Sequence, residues 1–344
     1  MKAAVIRAHG GAGSIVVERD YPDPVPADGE VVVAVRATTL NYHDIFTRRG
    51  MPGIRVPMPC IMGIDFSGEI VEVGPGATDD WRVGQRVMID PVDRVNHGGL
   101  IGEMRPGGLA EYCAVPAHHL VALPDAVPYV AAACLPVAYG TALRMMQTVG
   151  QVTQGERVLI LGASGGVGTC CVQLARQAGA EVIACASSAA KLRRLAALGA
   201  DHLVDYTRED FVKWVHAKYG KPHRRRFDGG VDVVVNFTGG DTWVPSLKTL
   251  HRQGRLLTCG ATAGFDPKED IRYIWTFELQ LRGSNGWMRE DLHALLAMVA
   301  DGRLTPVVDR ELPLEDVNEA FRLLEEREVF GKVVLRPGGV AAPA

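Results

Sequence analysis

The chain has 344 residues, 47% of them hydrophobic and 22% charged, with a formal net charge of −3. That much apolar material supports globular cores, and the length suits two domains better than one. The slightly acidic balance leaves no electrostatic footprint for nucleic acid or an anionic membrane, and no apolar run approaches the roughly 18 residues of a spanning helix.

The first elements read as strands. Met1-Lys2-Ala3-Ala4-Val5-Ile6 is a short apolar run that meets Arg7 and Gly10, which is not the architecture of a secretory leader. Residues 31–35, 68–73, 86–89 and 110–115 are short apolar or alternating runs punctuated by Gly and Pro, so the chain to about 124 is expected to be β-rich. From about 130 the texture changes. Strands are expected at 158–161, 181–185, 202–204, 231–236, 255–259 and 279–283, with helical segments between several of them. That alternation predicts a doubly wound parallel sheet. Beyond 283 a helix at 291–300, a strand near Val307, a helix at 314–326 and a last strand at 332–336 close the pattern.

The run Val158-Leu159-Ile160-Leu161-Gly162-Ala163-Ser164-Gly165-Gly166-Val167-Gly168 carries the strongest chemical signal. Four apolar residues form a buried strand, a glycine-rich turn follows, and 169–177 reads as a helix. Glycines let a backbone approach a pyrophosphate, and a helix N-terminus offers it unpaired N–H groups and a favourable dipole. This places Ser164, Gly165, Gly166, Val167 and Gly168 at a dinucleotide. The strand at 181–185 should end on an acid if the cofactor is NAD, to hold the ribose 2′-hydroxyl. It ends instead on Ala186-Ser187-Ser188, with Lys191 following. Hydroxyls and a nearby cation suit a phosphate monoester, so NADPH is the expected cofactor. Arg193 and Arg194 behind Lys191, and the basic stretch Lys221 to Arg226, read as solvated surface.

Seven cysteines lie at irregular spacing with no C-x-x-C pair. Buried free thiols in a reducing cytoplasm account for them better than a disulfide framework.

Six motifs carry a family resemblance in their order along the chain. They are Leu40-Asn41-Tyr42-His43-Asp44 with Arg48-Arg49-Gly50, residues 62–74, Gly108-Leu109-Ala110-Glu111-Tyr112, residues 135–142, the 163–168 turn, and Phe330-Gly331-Lys332-Val333-Val334-Leu335. Together they resemble the medium-chain dehydrogenase/reductase superfamily. The resemblance implies a GroES-like β-rich catalytic domain at 1–124 and 285–344, and a Rossmann domain at 125–284.

Within that superfamily the zinc alcohol dehydrogenases place a Cys, a His-Glu pair and a further Cys or Asp around a catalytic metal. Asn41, Ile64-Asp65 and Val137 stand at those places here, and no tetrahedral N/S site can be built from Asn, Ile and Val. Cys134 lies three residues out of register and reads as core. The stretch 93–107, where a four-cysteine structural lobe would fall, has no cysteine. His43 and His97 read as lone imidazoles, and no metal ligand set is expected.

The chain resembles most closely the zinc-independent branch of quinone oxidoreductases and alkenal, enone and acrylyl-CoA reductases. By that resemblance Ser187, Lys191 and Tyr206 hold the 2′-phosphate. Thr141, Thr238, Gly239, Gly260 and Ala261 line the cofactor, Ser284 and Asn285 approach the nicotinamide, and Lys332 approaches the diphosphate. Asn41 and Tyr42 are the expected catalytic donors, with His43 a further proton source. Asp44 belongs to the same turn, as a carboxylate that fixes it, and Asp65 is expected to pair with Lys332. The function implied is hydride transfer from NADPH to a quinone or an activated alkene (enone, alkenal or enoyl thioester) without zinc. The rivals are an alcohol dehydrogenase of the same superfamily and a non-catalytic NADPH-binding protein. The partner expected is a small-molecule substrate, with neither nucleic acid nor membrane. A homodimer is expected through the strand at 279–282, read as a sheet edge.

Overall fold

The computed structural model describes residues 1–77 and 81–339, so 340–344 of the expected 285–344 segment lie outside it. The chain divides into two units, Met1–Ala138 with Arg289–Ala344, and Tyr139–Met288.

The first part of the β-rich unit supplies eight strands: β1 (Ala3–Ile6), β2 (Ile15–Glu18), β3 (Glu30–Thr39), β4 (Cys60–Ile61), β5 (Asp65–Val73), β6 (Arg86–Ile89), β7 (Tyr112–Pro116) and β8 (Leu120–Ala122). β3 is the spine. It pairs antiparallel with both β5 and β7, and nine of its ten residues are buried. Its alternate side chains Val31, Val33 and Val35 enter a core with Phe66, Ile70, Val87 and Ile89. Each such buried aliphatic stabilises the unit by roughly 1.5–3 kcal/mol. Helix α1 (Tyr42–Arg49) leaves the end of β3, and α2 (Tyr129–Ala133) packs on β3 and β5.

The second unit is the doubly wound sheet. Its strands are β9 (Arg157–Ile160), β10 (Glu181–Ala186), β11 (His202–Asp205), β12 (Val231–Val235), β13 (Leu250–Thr258) and β14 (Gln280–Gly283). All run parallel in the order β11-β10-β9-β12-β13-β14. The central strands are covered on both faces, so they read as continuous apolar runs rather than alternating ones. Helices α3 (Thr141–Leu143), α4 (Gly166–Gln177), α5 (Ala189–Ala197), α6 (Phe211–Tyr219), α7 (Trp243–Thr249) and α8 (Arg272–Thr276) complete the unit. The winding reverses between β9 and β12, which opens a crevice at their carboxyl ends. β14 is the outer strand, in agreement with the sequence, and Leu281 on it is 41% exposed.

The chain then returns to the first unit with α9 (Arg289–Ala300), β15 (Val308–Pro313), α10 (Val317–Glu325) and β16 (Lys332–Arg336). β16 pairs with β3, which brings Lys332 to the end of the spine strand. All seven cysteines are free. Burial pushes the thiols of Cys60, Cys113, Cys134 and Cys259 up to about 12, so they are inert packing groups at neutral pH.

Candidate functional site

In the second unit, the expected cofactor residues from Ser164 to Asn285 all fall at or just beyond the carboxyl ends of the parallel strands. The turn after β9 is shaped by its glycines. Gly162 sits at φ +65°, and its carbonyl accepts the Gly165 N–H at 3.1 Å. Gly168 lies so close to this turn that a Cβ there would be 2.4 Å from the Gly162 oxygen and 2.6 Å from the Ala163 Cα. A Cβ on Gly165 would meet only the Gly162 oxygen, at 3.6 Å. α4 therefore starts close against the strand, with Gly165 as its N-cap, no side-chain cap hydrogen bond, and first-turn N–H groups that lack intrahelical acceptors. This is a cradle a side chain would fill, and it fits a pyrophosphate.

The next strand ends as the sequence suggests. Ser188 caps α5, its hydroxyl accepting from Lys191 N at 3.3 Å. Ser187 stays half-buried beside it, and Arg193 and Arg194 are on the exposed face. Tyr206 N donates to Ala186 O at 3.2 Å, which sets the exposed Tyr206 ring at the same strand end as Ser187 and Lys191. The carboxylate beside them is Asp205 of β11, paired in register with Ala186. It is turned into its own loop, accepting from the Thr207 hydroxyl at 2.6 Å and the Thr207 N–H at 3.1 Å.

Beyond β12 a residue without a sequence prediction organises the loop. Asn236 is fully buried, and its Oδ1 accepts from Thr238 N and Gly239 N, both at 3.0 Å. Its Nδ2 donates to Thr242 Oγ1 and Ser246 Oγ. An Asn at a strand end followed by Phe-Thr-Gly-Gly is the signal that could have found it. Gly239, at φ +69°, packs against the Gly264 carbonyl, and Ala263 N donates to Thr238 O, so the 236–242 and 260–264 loops are stitched together. At the end of β14, Ser284 Oγ is buried with no hydrogen-bond partner among the described residues. An orphaned hydroxyl beside these loops fits a polar ligand group. Asn285 is exposed, and Thr141 is buried at the start of α3.

In the first unit, residues far apart in sequence converge on one buried polar cluster. Asn41 precedes α1, Asp65 opens β5 and Lys332 opens β16. Asn41 Nδ2 donates to Asp65 Oδ2 at 2.8 Å, and Lys332 Nζ donates to Asn41 Oδ1 at 2.5 Å and Leu40 O at 2.9 Å. Lys332 Nζ is 3.5 Å from Asp65 Oδ2, the pairing the resemblance implies. Val137 N completes the cluster by donating to Asp65 Oδ1 at 3.1 Å. Burial pushes the Asp65 carboxyl up, against the pull of Lys332 and Asn41. Asp44 Oδ2 accepts from Asn41 N at 2.7 Å and fixes the start of α1, while its Oδ1 is buried without a partner among the described residues. Burial raises Asp44 to about 6, and the nearby Asp65 adds to that rise.

Tyr42 is half-buried, its ring edge-on to Phe46 at 5.4 Å. His43 is hydrogen-bonded: its Nε2 lies 2.7 Å from Glu103 Oε2, which also accepts from Thr47 Oγ1. Burial pulls the His43 pKa down, but the bond and charge of Glu103 outweigh it and raise the group. Glu103 sits in a loop with no recognisable pattern, so only the folded chain reveals it.

Residues 27–125 match the alcohol dehydrogenase GroES-like domain, and residues 198–335 match a family described as zinc-binding dehydrogenase. A crystal structure described as an NAD-dependent alcohol dehydrogenase is 36% identical, covers 98% of this chain and 99% of its own, and superposes with a TM-score of 0.88. The acryloyl-coenzyme A reductase of Metallosphaera sedula is 28% identical, over 97% of this chain and 99% of that protein. A 2-octenoyl-CoA carboxylase reductase in complex with NADP and 2-octenoyl-CoA is 28% identical, covering 97% and 87%, with a TM-score of 0.84. Polyketide synthase GfsB of Streptomyces halstedii is 33% identical over 316 residues, and the chain spans only 5% of that protein's length.

The chain belongs to the medium-chain dehydrogenase/reductase superfamily, in its quinone and enoyl reductase branch. It is therefore an oxidoreductase with the fold of a nicotinamide-dependent enzyme. The superfamily's catalytic zinc does not fit the residues at the corresponding positions. Ile64 and Val137 offer no donor side chain, and both ends of the Asn41 amide are already used by Asp65 and Lys332.

Proposed function

We propose that this protein is an NADPH-dependent reductase of a quinone or an activated alkene, working without a catalytic metal. The observation that carries the reading is the Asn41–Asp65–Lys332 cluster. Asn41, at one of the metal-ligand positions, has both ends of its amide engaged by a buried carboxylate and a buried ammonium, which supports a site that works without a Lewis acid to acidify an alcohol. Reduction of an acceptor that is already electron-poor needs orientation and hydrogen-bond donors instead.

When bound, the dihydronicotinamide supplies the hydride to an electron-poor carbon. The α4 N-terminus and the 162–168 cradle hold the pyrophosphate, and Ser187, Lys191 and Tyr206 grip the 2′-phosphate. Thr141, the stitched loops at Thr238, Gly239, Gly260 and Ala261, and the residues Ser284 and Asn285 position the rest of the cofactor. Lys332, expected near the diphosphate, has its ammonium engaged by Leu40 O, Asn41 Oδ1 and Asp65 Oδ2 instead, and serves by holding Asn41 in place. Tyr42 donates its phenol proton toward the acceptor oxygen where charge builds, and the His43–Glu103 pair restores that proton from solvent. Asp44 fixes the turn that carries them. An enoyl thioester is the favoured alkene because two of the relatives named above act on or bind such compounds. A homodimer paired along β14 is part of the same proposal.

The test is NADPH oxidation across benzoquinone, naphthoquinone, short 2-alkenals and short enoyl thioesters, before and after prolonged chelation. Turnover on at least one class that survives chelation is expected. Lys191→Ala should weaken NADPH by about ten- to a hundredfold, the loss of one charge-assisted contact, and leave NADH nearly unchanged. The 36% identical neighbour favours the rival reading, oxidation of an alcohol with NAD. Equal affinity for NADH and NADPH in the wild type, with alcohol oxidation abolished by chelation and restored by zinc, would select that rival.

A further inference from the structure

We infer that the first unit carries a divalent-metal clip built from Asp93, His118 and His119, separate from the catalytic positions and suited to a late first-row cation such as Zn2+. Among the described residues these three form the one group of His, Cys, Asp or Glu side chains with ligand atoms converging within 4.8 Å. His118 and His119 lie on the one-turn 3-10 helix Ala117–His119 between β7 and β8, and Asp93 lies in the loop after β6.

His119 is the decisive residue. It is 1% exposed, and its Nδ1 lies 2.7 Å from the Asp90 carbonyl. A carbonyl only accepts, so Nδ1 carries the proton and Nε2 keeps its lone pair. That Nε2 is buried with no hydrogen-bond partner among the described residues. An imidazole with one nitrogen anchored on a backbone carbonyl and the other bare is the arrangement of a metal-ligating histidine.

The two other groups complete the set. His118 Nε2 is 3.1 Å from Asp93 Oδ1, and Asp93 is itself held by the Val95 and Asn96 amides. Asp90 is no competitor, since its carboxylate is engaged by Arg94. The Arg289 guanidinium clamps the turn through the His118 and Leu120 carbonyls, so the ligands stand on a fixed backbone. Two imidazoles and a carboxylate suit zinc, cobalt or nickel and disfavour the oxygen-seeking magnesium and calcium. Metal–ligand bonds of about 2.0–2.2 Å need the three atoms to close somewhat. The half-buried His118 ring can supply that movement, and water can take the fourth position from its side. Two of the three ligands lie outside the cysteine-free 93–107 stretch. Such a clip would tie that loop to the β7–β8 turn.

The experiment uses untagged, metal-stripped full-length protein titrated with Zn2+ and, separately, Co2+. The expected result is one equivalent bound per chain, a visible d–d band for the Co2+ form, and a Tm rise of roughly 5 °C at a hundredfold excess over Kd. Asp93→Asn and His119→Asn should each weaken binding at least tenfold and abolish the Tm rise, with NADPH affinity unchanged. Should His119→Asn fold poorly, Asp93→Asn and the Co2+ spectrum of the wild type carry the test. No saturable binding at one equivalent, or unchanged affinity in Asp93→Asn, would overturn the clip. Chelation that lowers Tm but spares turnover supports the clip and the metal-free chemistry together, whereas loss of turnover alone bears only on the latter.

Discussion

The two units present their polar groups in opposite ways. In the parallel-sheet unit the chemistry is mainly backbone: N–H groups of a helix start, glycine turns, and loops stitched by Asn236. In the β-rich unit it is side chains in a dry interior, with Asn41, Asp65 and Lys332 drawn from positions 41, 65 and 332 of the chain. A backbone cradle tolerates changes around it, provided no Cβ fills it. A buried ion pair tolerates almost none, because removing one member strands the other in low dielectric.

The sharpest way to break that contrast is Lys332→Met. It leaves Asp65 buried and unpaired, and stability measured by urea unfolding should fall by about 3–5 kcal/mol. Adding Asp65→Asn to Lys332→Met should recover much of the loss. A single mutant as stable as wild type would mean that the cluster is not the stabilising ion pair described above.

Gly168→Val tests the other unit. Its Cβ would meet the Gly162 oxygen at 2.4 Å, so the turn must shift. NADPH affinity by fluorescence titration should fall roughly tenfold or more, about 1.4 kcal/mol or greater, with a smaller effect on unfolding than Lys332→Met. Unchanged affinity would show that the cradle does not hold the pyrophosphate.

The smallest effect is on pH dependence. Asp44 is raised from 3.8 to about 6 in the folded chain. Between those values the folded state binds a proton that the unfolded state has lost, so this group's contribution is full below 3.8 and fades as pH rises through about 6. Asp44→Asn keeps an acceptor for Asn41 N and should flatten the stability profile across that window. A profile indistinguishable from wild type between pH 4 and 6 would remove Asp44 as its source.

What the sequence by itself determined is what local pattern encodes. Strand periodicity, the glycine spacing 162–168, the missing acid after β10 and the empty ligand positions at Ile64 and Val137 are all local features. They located the parallel sheet, the glycine turn after β9 and the strand end that carries Ser187, Lys191 and Tyr206, because a strand–turn–helix in a parallel sheet delivers its loop to the carboxyl edge whatever the rest of the chain does. The Asp65–Lys332 pairing was legible only through family position, since nothing local links residues 267 positions apart. Only the tertiary structure decided that Asn41 spends both ends of its amide on that pair. The same holds for Glu103 reaching His43, and for the gathering of Asp93, His118 and His119 into one cluster. Those contacts join elements whose neighbours are set by sheet pairing and core packing, and a side chain's partner across such a distance has no signature in the residues beside it.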